Sequence, residues 1–287
     1  MRSAVVLVLL VGCAPASRAQ PPPTSTPTVT QSEVEQPIPP DLRDQVARSC
    51  AIGRQLYELD KVAAIGTDVL LAHVPDPQGA GLAGYLPVRE GDDSGQPVQS
   101  FLVSFFTSEE PPRIAYEVRV ARDTAPVFQA FEPPKQASAD FSALVRARQL
   151  AISAMPASNQ PINPVLLPGE ANGETGVLVY LLAGTKKPDI AVFGRHFRAL
   201  VPPGGTHVSY LLPLSKTALE MPTRGEHGEP VEALLVTQIV TDFPLETHVF
   251  TSLLVKKPVY VGTRRGTWRV NGDRIAFLGA LEPNDAK

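Results

Sequence analysis

The chain has 287 residues, with 26 Lys and Arg against 29 Asp and Glu, two cysteines and 30 prolines. Its length is typical of one or two domains, and its 43% hydrophobic content is enough for a buried core, which excludes disorder throughout. A formal charge of -3 gives no electrostatic reason to expect a nucleic-acid partner. Two cysteines exclude a disulfide-rich scaffold and a Cys-rich zinc module.

The N-terminus has the pattern of an export signal. Arg2 precedes an unbroken apolar run from Ala4 to Val11, which is too short to span a bilayer. The run ends in Leu10-Val11-Gly12-Cys13, which resembles the lipobox of bacterial lipoproteins. The resemblance implies that the Cys13 thiol carries a diacylglycerol and becomes the new N-terminus. The alternative is an ordinary signal peptide that is cleaved after Ala19.

Residues 14–40 are predicted to be a disordered tether, because they contain eight prolines and seven Ser or Thr and few large apolar side chains. In polyproline II conformation their reach is at most about 80 Å. Next to a lipobox, such a segment is a stalk that holds a domain away from a membrane; the alternative is an incidental tail. The expected location is the bacterial cell envelope, facing the periplasm with the lipid in a membrane such as the outer membrane. An unlipidated chain would be periplasmic or secreted.

The predicted N-terminal half, residues 41–155, has the order αββα. Asp41 caps a helix that continues to about Ala64 and is interrupted at Gly66. Cys50 lies on its apolar face and is expected to be buried, because either form of processing leaves it without a disulfide partner. Residues 75–97 are rich in Gly, Pro and Asp and are predicted to form a long loop.

Two strands and a second helix complete this half. Phe101–Thr107 and Arg113–Ala121 are predicted to pair as a hairpin, and Val127–Phe131 is a further strand candidate. Ser138 is the cap of the second helix, which Pro156 ends. Residues 156–175 then form a connection rich in Pro, Asn and Gly, and a subdomain boundary is expected there.

Residues 156–287 are predicted to be rich in strands, either as a separate half or as part of one domain with 41–155. Pro244–Val255 is predicted to be a short helix, because its apolar pairs are four residues apart. Asn271-Gly272 is a strong hairpin signal that places Trp268 opposite Ile275. The fold class is therefore α+β, with two helices packed on a mainly antiparallel sheet.

Four segments carry a second resemblance. They are Gly176-Val-Leu-Val-Tyr-Leu-Leu, Phe193-Gly-Arg-His-Phe-Arg, Glu246-Thr-His-Val-Phe-Thr-Ser-Leu-Leu and Pro258-Val-Tyr-Val-Gly-Thr. Over residues 176–279 the chain is similar to uncharacterised exported proteins of Proteobacteria. This resemblance implies no catalytic residue and supports a location in the envelope.

Common catalytic and cofactor motifs are absent from the sequence: G-x-S-x-G, H-E-x-x-H, Walker A, C-x-x-C and the EF-hand pattern. Gly79–Gly84 has the G-x-G-x-x-G spacing but lies in the predicted loop, so no cofactor is expected. A hairpin closed by Pro202–Gly205 would place His196 and His207 on one face about 13 Å apart, too far for a shared metal ion.

That hairpin face also carries Arg198 and Ser209. The four residues His196, Arg198, His207 and Ser209 are either the solvent-exposed polar side of the sheet or a binding site for a small anionic ligand. Arg264, Arg265, Arg269 and Arg274 form a second basic cluster, in which the predicted turn sets Arg269 opposite Arg274. This cluster is either exposed or bound to an acidic envelope ligand.

Glu246 and His248 are the candidates for acid–base chemistry, although on a helix residues two apart do not face each other. The sequence thus predicts a membrane-anchored envelope protein with a binding or scaffolding role for an envelope protein or small anion. The alternative is a periplasmic hydrolase that uses a His/carboxylate site. Whether the chain is an enzyme stays open at this stage.

Overall fold

A computed structural model describes residues 34–90 and 100–280, so Cys13 and residues 14–33 of the predicted tether lie outside the described ranges. Within those ranges three α-helices and fourteen strands form an α+β fold. The strands make three four-stranded sheets and one two-stranded sheet, in which a single strand pair is parallel. The α+β class and the strand-rich C-terminal half are confirmed, with one helix more than the two predicted to pack on the sheet.

Up to residue 154 the chain forms a long helix, a four-stranded sheet and a second helix. They are a 3₁₀ turn Pro40–Leu42, α1 Arg43–His73, β1 Leu82–Glu90, β2 Ser100–Thr107, β3 Arg113–Ala121, β4 Val127–Gln136 and α2 Ala139–Ala154. The sheet has the order β1-β2-β3-β4. The hairpin of β2 and β3, the added strand β4 and the Ser138 cap of α2 agree with the sequence prediction, and the Ser138 hydroxyl accepts from the Phe141 N–H at 3.1 Å.

The remaining elements are mainly strands. They are β5 Ile162–Ala171, β6 Glu174–Ala183, β7 Ile190–Phe193, β8 Phe197–Val201, β9 Tyr210–Pro213, β10 Leu219–Pro222, β11 Leu234–Thr237, α3 Glu246–Val255, β12 Val259–Thr263, β13 Gly266–Asn271 and β14 Arg274–Gly279. They form sheets with the orders β5-β6-β8-β9, β11-β12-β13-β14 and β10-β7. The predicted short helix at 244–255 is confirmed as α3.

Helix α1 is longer than predicted, because Gly66 does not interrupt it. A Cβ atom at Gly66 would come within 2.8 Å of the Val103 side chain on β2. The glycine therefore allows close packing of the helix on the sheet. Its buried positions follow a helical stripe from end to end: Val46, Ser49, Gly53, Leu56, Leu59, Val62, Ala63, Gly66 and Leu70.

Successive parts of this stripe pack on three different sheets. Val46 belongs to a cluster with β12, β13 and β14, and the half-buried Cys50 packs against that cluster. Leu56 and Leu59 pack on β5, β6 and β8, and Val62 and Leu70 pack on β2 and β3. The described chain from Val34 onward forms one compact unit.

The loop predicted at 75–97 is wrong over residues 82–90, which form β1 and pair with β2. The prediction failed because Gly84 and Pro87 obscure the strand pattern. A proline is tolerated there because β1 is an edge strand, so its missing N–H costs no hydrogen bond within the sheet.

The connection predicted at 156–175 is also wrong, because half of it is β5. Pro164 and Pro168 lie in this strand, which is again at the edge of its sheet. Asn172 and Gly173 have φ of 54° and 77° and join β5 to β6 in a tight hairpin. Helix α2 packs both on this sheet and on the β1–β4 sheet, so the segment at 156–175 does not separate two cores.

The final hairpin turns one residue later than predicted. Asn271 pairs with Arg274 and the loop is Gly272-Asp273, so Trp268 faces Phe277 instead of Ile275. The two rings lie 4.7 Å apart, and the Trp268 indole donates to the Thr263 hydroxyl at 3.0 Å. The shift also separates Arg269 from Arg274, which were predicted to be opposite each other.

The predicted tether ends earlier than residue 40. The Gln36 N–H donates to the Phe277 carbonyl at 2.8 Å, and Ile38 packs against the cluster around Trp268. The Glu35 carboxylate accepts hydrogen bonds from both Arg269 and Arg274. Residues 34–40 are therefore bound to the β13–β14 hairpin, where one acidic side chain pairs with two arginines.

The close contact between α1 and α3 predicts that one methyl group added at Gly53 destabilises the fold. A Cβ atom at Gly53 would lie 2.5 Å from Val249 Cβ and 2.7 Å from the Glu246 carbonyl. We expect Gly53→Ala to lower the free energy of unfolding by about 2 kcal/mol, despite the higher helix propensity of Ala. Urea denaturation of the purified domain measures this difference.

The matched control is Gly184→Ala, where the nearest atom to the added Cβ is 3.8 Å away. It should change stability by less than about 0.5 kcal/mol. Equal stability of the two variants would show that α1 and α3 do not meet at Gly53.

Candidate functional site

The start of α3 lies against β8 and brings together residues from both predicted sites. Arg198 on β8 donates from Nη1 to Oε1 of Glu246, the first residue of α3, at 2.9 Å. His196, just before β8, lines the same cavity as His248 on α3. The sequence assigned His196 and Arg198 to one candidate site and Glu246 and His248 to another. The structure instead pairs Arg198 with Glu246 and places His196 beside His248.

The Arg198–Glu246 ion pair is mostly buried. The side chain of Arg198 is 23% exposed and that of Glu246 is 3% exposed. Tyr180 on β6 donates its hydroxyl to the same Glu246 oxygen at 2.9 Å. Burial and the Glu246 charge raise the pKa of Tyr180 far above its usual value, so the phenol stays protonated.

Burial disfavours the charged form of Arg198, but the attraction to the Glu246 carboxylate favours it. The net effect raises the pKa of Arg198 above its usual value. The guanidinium is therefore permanently charged. Its Nε is buried without a hydrogen-bond partner, whereas Nη1 donates to Glu246 and the guanidinium also interacts with the Tyr180 hydroxyl. Since a guanidinium has five N–H donors, most of its hydrogen-bonding capacity is unused.

These groups lie at an open cleft of about 350 Å³, which we name the Arg198 cleft. One wall is α1, with Asp44, Arg48 and the buried Ser49, and the floor is formed by Arg198 and Glu246. Apolar side chains complete it: Ile52, Leu212, Val240, Phe243 and Leu245. The Ser49 hydroxyl, the Arg48 guanidinium and Glu246 Oε2 make no hydrogen bond to any described residue. The cleft thus combines unpaired polar groups with an apolar wall, as small-molecule sites do.

His196 and His248 line a separate space of about 110 Å³, the histidine cavity, together with Gln238 and Thr247. The Ala183 N–H donates to Nδ1 of His196, and the Leu245 N–H donates to Nδ1 of His248, each at 3.0 Å. A neutral ring that accepts at Nδ1 carries its proton on Nε2. The Nε2 of His196 has no partner within the described residues.

Both imidazoles are neutral at physiological pH. Burial lowers the pKa of His196 to about 4, and burial together with the nearby His196 lowers the pKa of His248 to about 4. The Phe193 ring lies 6.3 Å from the His248 ring. His248 therefore caps α3 through Nδ1 in partly apolar surroundings, and it lines a different cavity from Glu246.

His207 and Ser209 do not join this site, because the predicted register of the hairpin is wrong. Leu200 pairs with Tyr210 and Arg198 with Leu212, so the loop spans residues 202–209. His207 is exposed in this loop next to the Thr206 hydroxyl, and the Ser209 N–H donates to the Leu200 carbonyl. The interpretation of the His196 and Arg198 face as an exposed polar surface is also wrong, because α1 and α3 cover it.

Each arginine of the predicted basic cluster forms an ion pair with a carboxylate of the chain itself. Arg264 binds Asp242 at 3.0 Å and Arg265 binds Asp41 at 2.9 Å. Glu35 binds the other two arginines, as described above. The anion that the clustered charges require is thus provided by the fold.

Sequence reasoning missed Tyr180 and Ser49. Tyr180 lies in an apolar strand, where its hydroxyl needs a buried partner, so a tyrosine within Leu178–Leu182 was an available signal. Ser49 carried no signal of its own, because serine is common on exposed helix faces. Cys50 is half-buried and burial raises the pKa of its thiol, which disfavours the reactive thiolate.

No group of three or more His, Cys, Asp or Glu side chains within residues 34–90 and 100–280 is placed to hold a metal ion. Comparisons with protein-family models, with curated proteins and with solved structures find no match for this chain.

The buried histidines predict a loss of stability in mild acid. The unfolded chain takes up a proton on each histidine near pH 6.5, whereas the folded chain does so only near pH 4. Stability therefore falls as the pH drops through this interval, by about 2 kcal/mol for each histidine between pH 7 and 5. Urea denaturation at several pH values measures it.

His196→Asn and His248→Asn retain an acceptor near the Nδ1 position but do not titrate. Each should make the pH dependence shallower, and the same change at the exposed His227 is the matched control. A wild-type stability that is equal at pH 7 and pH 5 would contradict this assignment.

Proposed function

We propose that this chain is a lipid-anchored protein of the cell envelope whose folded domain has a binding role, with the Arg198 cleft as the ligand site. The observation that carries the proposal is the Arg198–Glu246 pair on the floor of an open cleft, where most of the guanidinium donors and one carboxylate oxygen are unused. Buried polar groups are normally satisfied, so an unpaired set at an open cleft favours a ligand that completes it.

The same geometry favours binding over the alternative, a hydrolase that uses Glu246 and His248. Glu246 is occupied by Arg198 and Tyr180, and His248 lines a different cavity. A general base needs hydrogen-bond contact with the proton that it removes, and a carboxylate partner must reach its ring. The described contacts of these two residues provide neither.

The envelope location is supported by the sequence alone, through the lipobox resemblance and the Pro-rich segment that follows it. No helix in the described ranges is long and apolar enough to cross a bilayer. The proposed membrane attachment is the lipid on Cys13, and stable anchoring takes more than one acyl chain.

Mass spectrometry of the mature protein tests the anchor. We expect a chain that begins at Cys13 with a diacylglycerol and fractionates with membranes. Cys13→Ser should remove the lipid and release the protein from the membrane fraction, because the serine hydroxyl does not replace the thiol. An unmodified chain that begins at Gln20 would refute the lipoprotein assignment.

Thermal unfolding with a panel of small carboxylates, sugars and amino acids tests the binding role. We expect at least one compound to raise the melting temperature of the wild type but not that of Arg198→Lys, which retains the charge without the planar fork of donors. The control is Arg195→Lys, an exposed position outside the cleft. Binding that is equal in all three proteins would exclude the Arg198 cleft.

A further inference from the structure

The unused groups of the Arg198 cleft include donors that fit a carboxylate. Nη1 is bound to Glu246 and the guanidinium also interacts with Tyr180, whereas Nε has no partner within the described residues, so part of the Arg198 donor set is unused. A guanidinium binds the two oxygens of a carboxylate with parallel hydrogen bonds. Ser49, a buried residue of α1, lines the same cleft and its hydroxyl adds one more donor.

The cleft also offers negative charge. Both described hydrogen bonds to Glu246 end on Oε1, so Oε2 accepts none. Asp44, on the α1 wall, forms no ion pair with a described residue. Unpaired carboxylate oxygens near the guanidinium favour a ligand that carries a cationic or hydrogen-bond-donating group close to its own carboxylate.

The charges that line the cleft cancel. Arg48 and Arg198 are positive, and Asp44 and Glu246 are negative. A simple anion would therefore meet as much repulsion as attraction, whereas a ligand with separated opposite charges and no net charge matches both signs.

The rest of the cleft is apolar, with Ile52, Leu212, Phe243 and Leu245 as its main contributors. Its volume of about 350 Å³ is at the lower end of the range for ligand pockets. From these features we propose that the Arg198 cleft binds a free α-amino acid with a large apolar side chain. Its carboxylate binds Arg198, its ammonium group binds Glu246 Oε2, and its side chain packs on Phe243 and Ile52. This inference rests on the proposed binding function and specifies its ligand.

Isothermal titration calorimetry at pH 7 tests the proposal with four probes. L-leucine and L-phenylalanine should bind. N-acetyl-L-leucine lacks the ammonium charge and L-leucinamide lacks the carboxylate, so each should bind at least about tenfold more weakly than L-leucine. Equal binding of N-acetyl-L-leucine would overturn the proposal in favour of a simple carboxylate ligand.

Glu246→Gln tests the contribution of the ligand's ammonium group separately from that of its carboxylate. The amide retains an oxygen for Tyr180 and Arg198 but removes the negative charge, so L-leucine affinity should fall about tenfold while that of N-acetyl-L-leucine does not fall. Glu232→Gln, at an exposed position outside the cleft, is the matched control. Circular dichroism of each variant verifies that it is folded. If Glu246→Gln does not fold, Arg198→Lys replaces it and should weaken L-leucine and N-acetyl-L-leucine alike.

The outcomes distinguish this inference from the proposed function. If no amino acid binds but another compound of the panel stabilises the wild type and not Arg198→Lys, the ligand class is wrong and the binding role stands. If no compound of either set binds in an Arg198-dependent manner, both are overturned.

Discussion

The burial of a single helix against three sheets is the constraint on which this structure depends. α1 is 31 residues long, and its buried stripe meets β12–β14 near Val46, the β5–β9 sheet at Leu56 and Leu59, and the β1–β4 sheet from Val62 onward. Most helical stability comes from such tertiary packing and little from propensity. Each sheet thus obtains part of its core from the same helix, so the loss of α1 would expose all three at once.

The Arg198 cleft is a product of the same packing. The absence of a side chain at Gly53 lets α3 approach α1 closely, which places Glu246 over Tyr180 and Arg198. A buried ion pair costs desolvation energy that its attraction seldom exceeds by much, so it is weak evidence of a role in stability. The apolar strand around Tyr180 could be covered without any charge, and the proposed ligand site would give the ion pair a role beyond the fold.

Local patterns in the sequence predicted what local forces determine. The β2–β3 hairpin, the Ser138 cap, α3 and the α+β class followed from periodicity and turn residues. Edge strands with internal prolines were missed, since proline predicts a loop unless the position of the strand in its sheet is known. The two hairpin registers depend on loop conformation, and the pairing of Arg198 with Glu246 depends on two elements 48 residues apart. A short stretch of sequence therefore predicts neither the hairpin registers nor the ion pair.

Residues 34–40 determine where mechanical load enters the domain. A pull on the chain that precedes Val34 acts first on the Glu35 ion pairs with Arg269 and Arg274, and then on the bridge between Gln36 and Phe277. Partly exposed ion pairs are weak, on the order of 1 kcal/mol each. Residues 34–40 would therefore detach from β13 and β14 before force reached α1, and the Arg198 cleft would keep its shape.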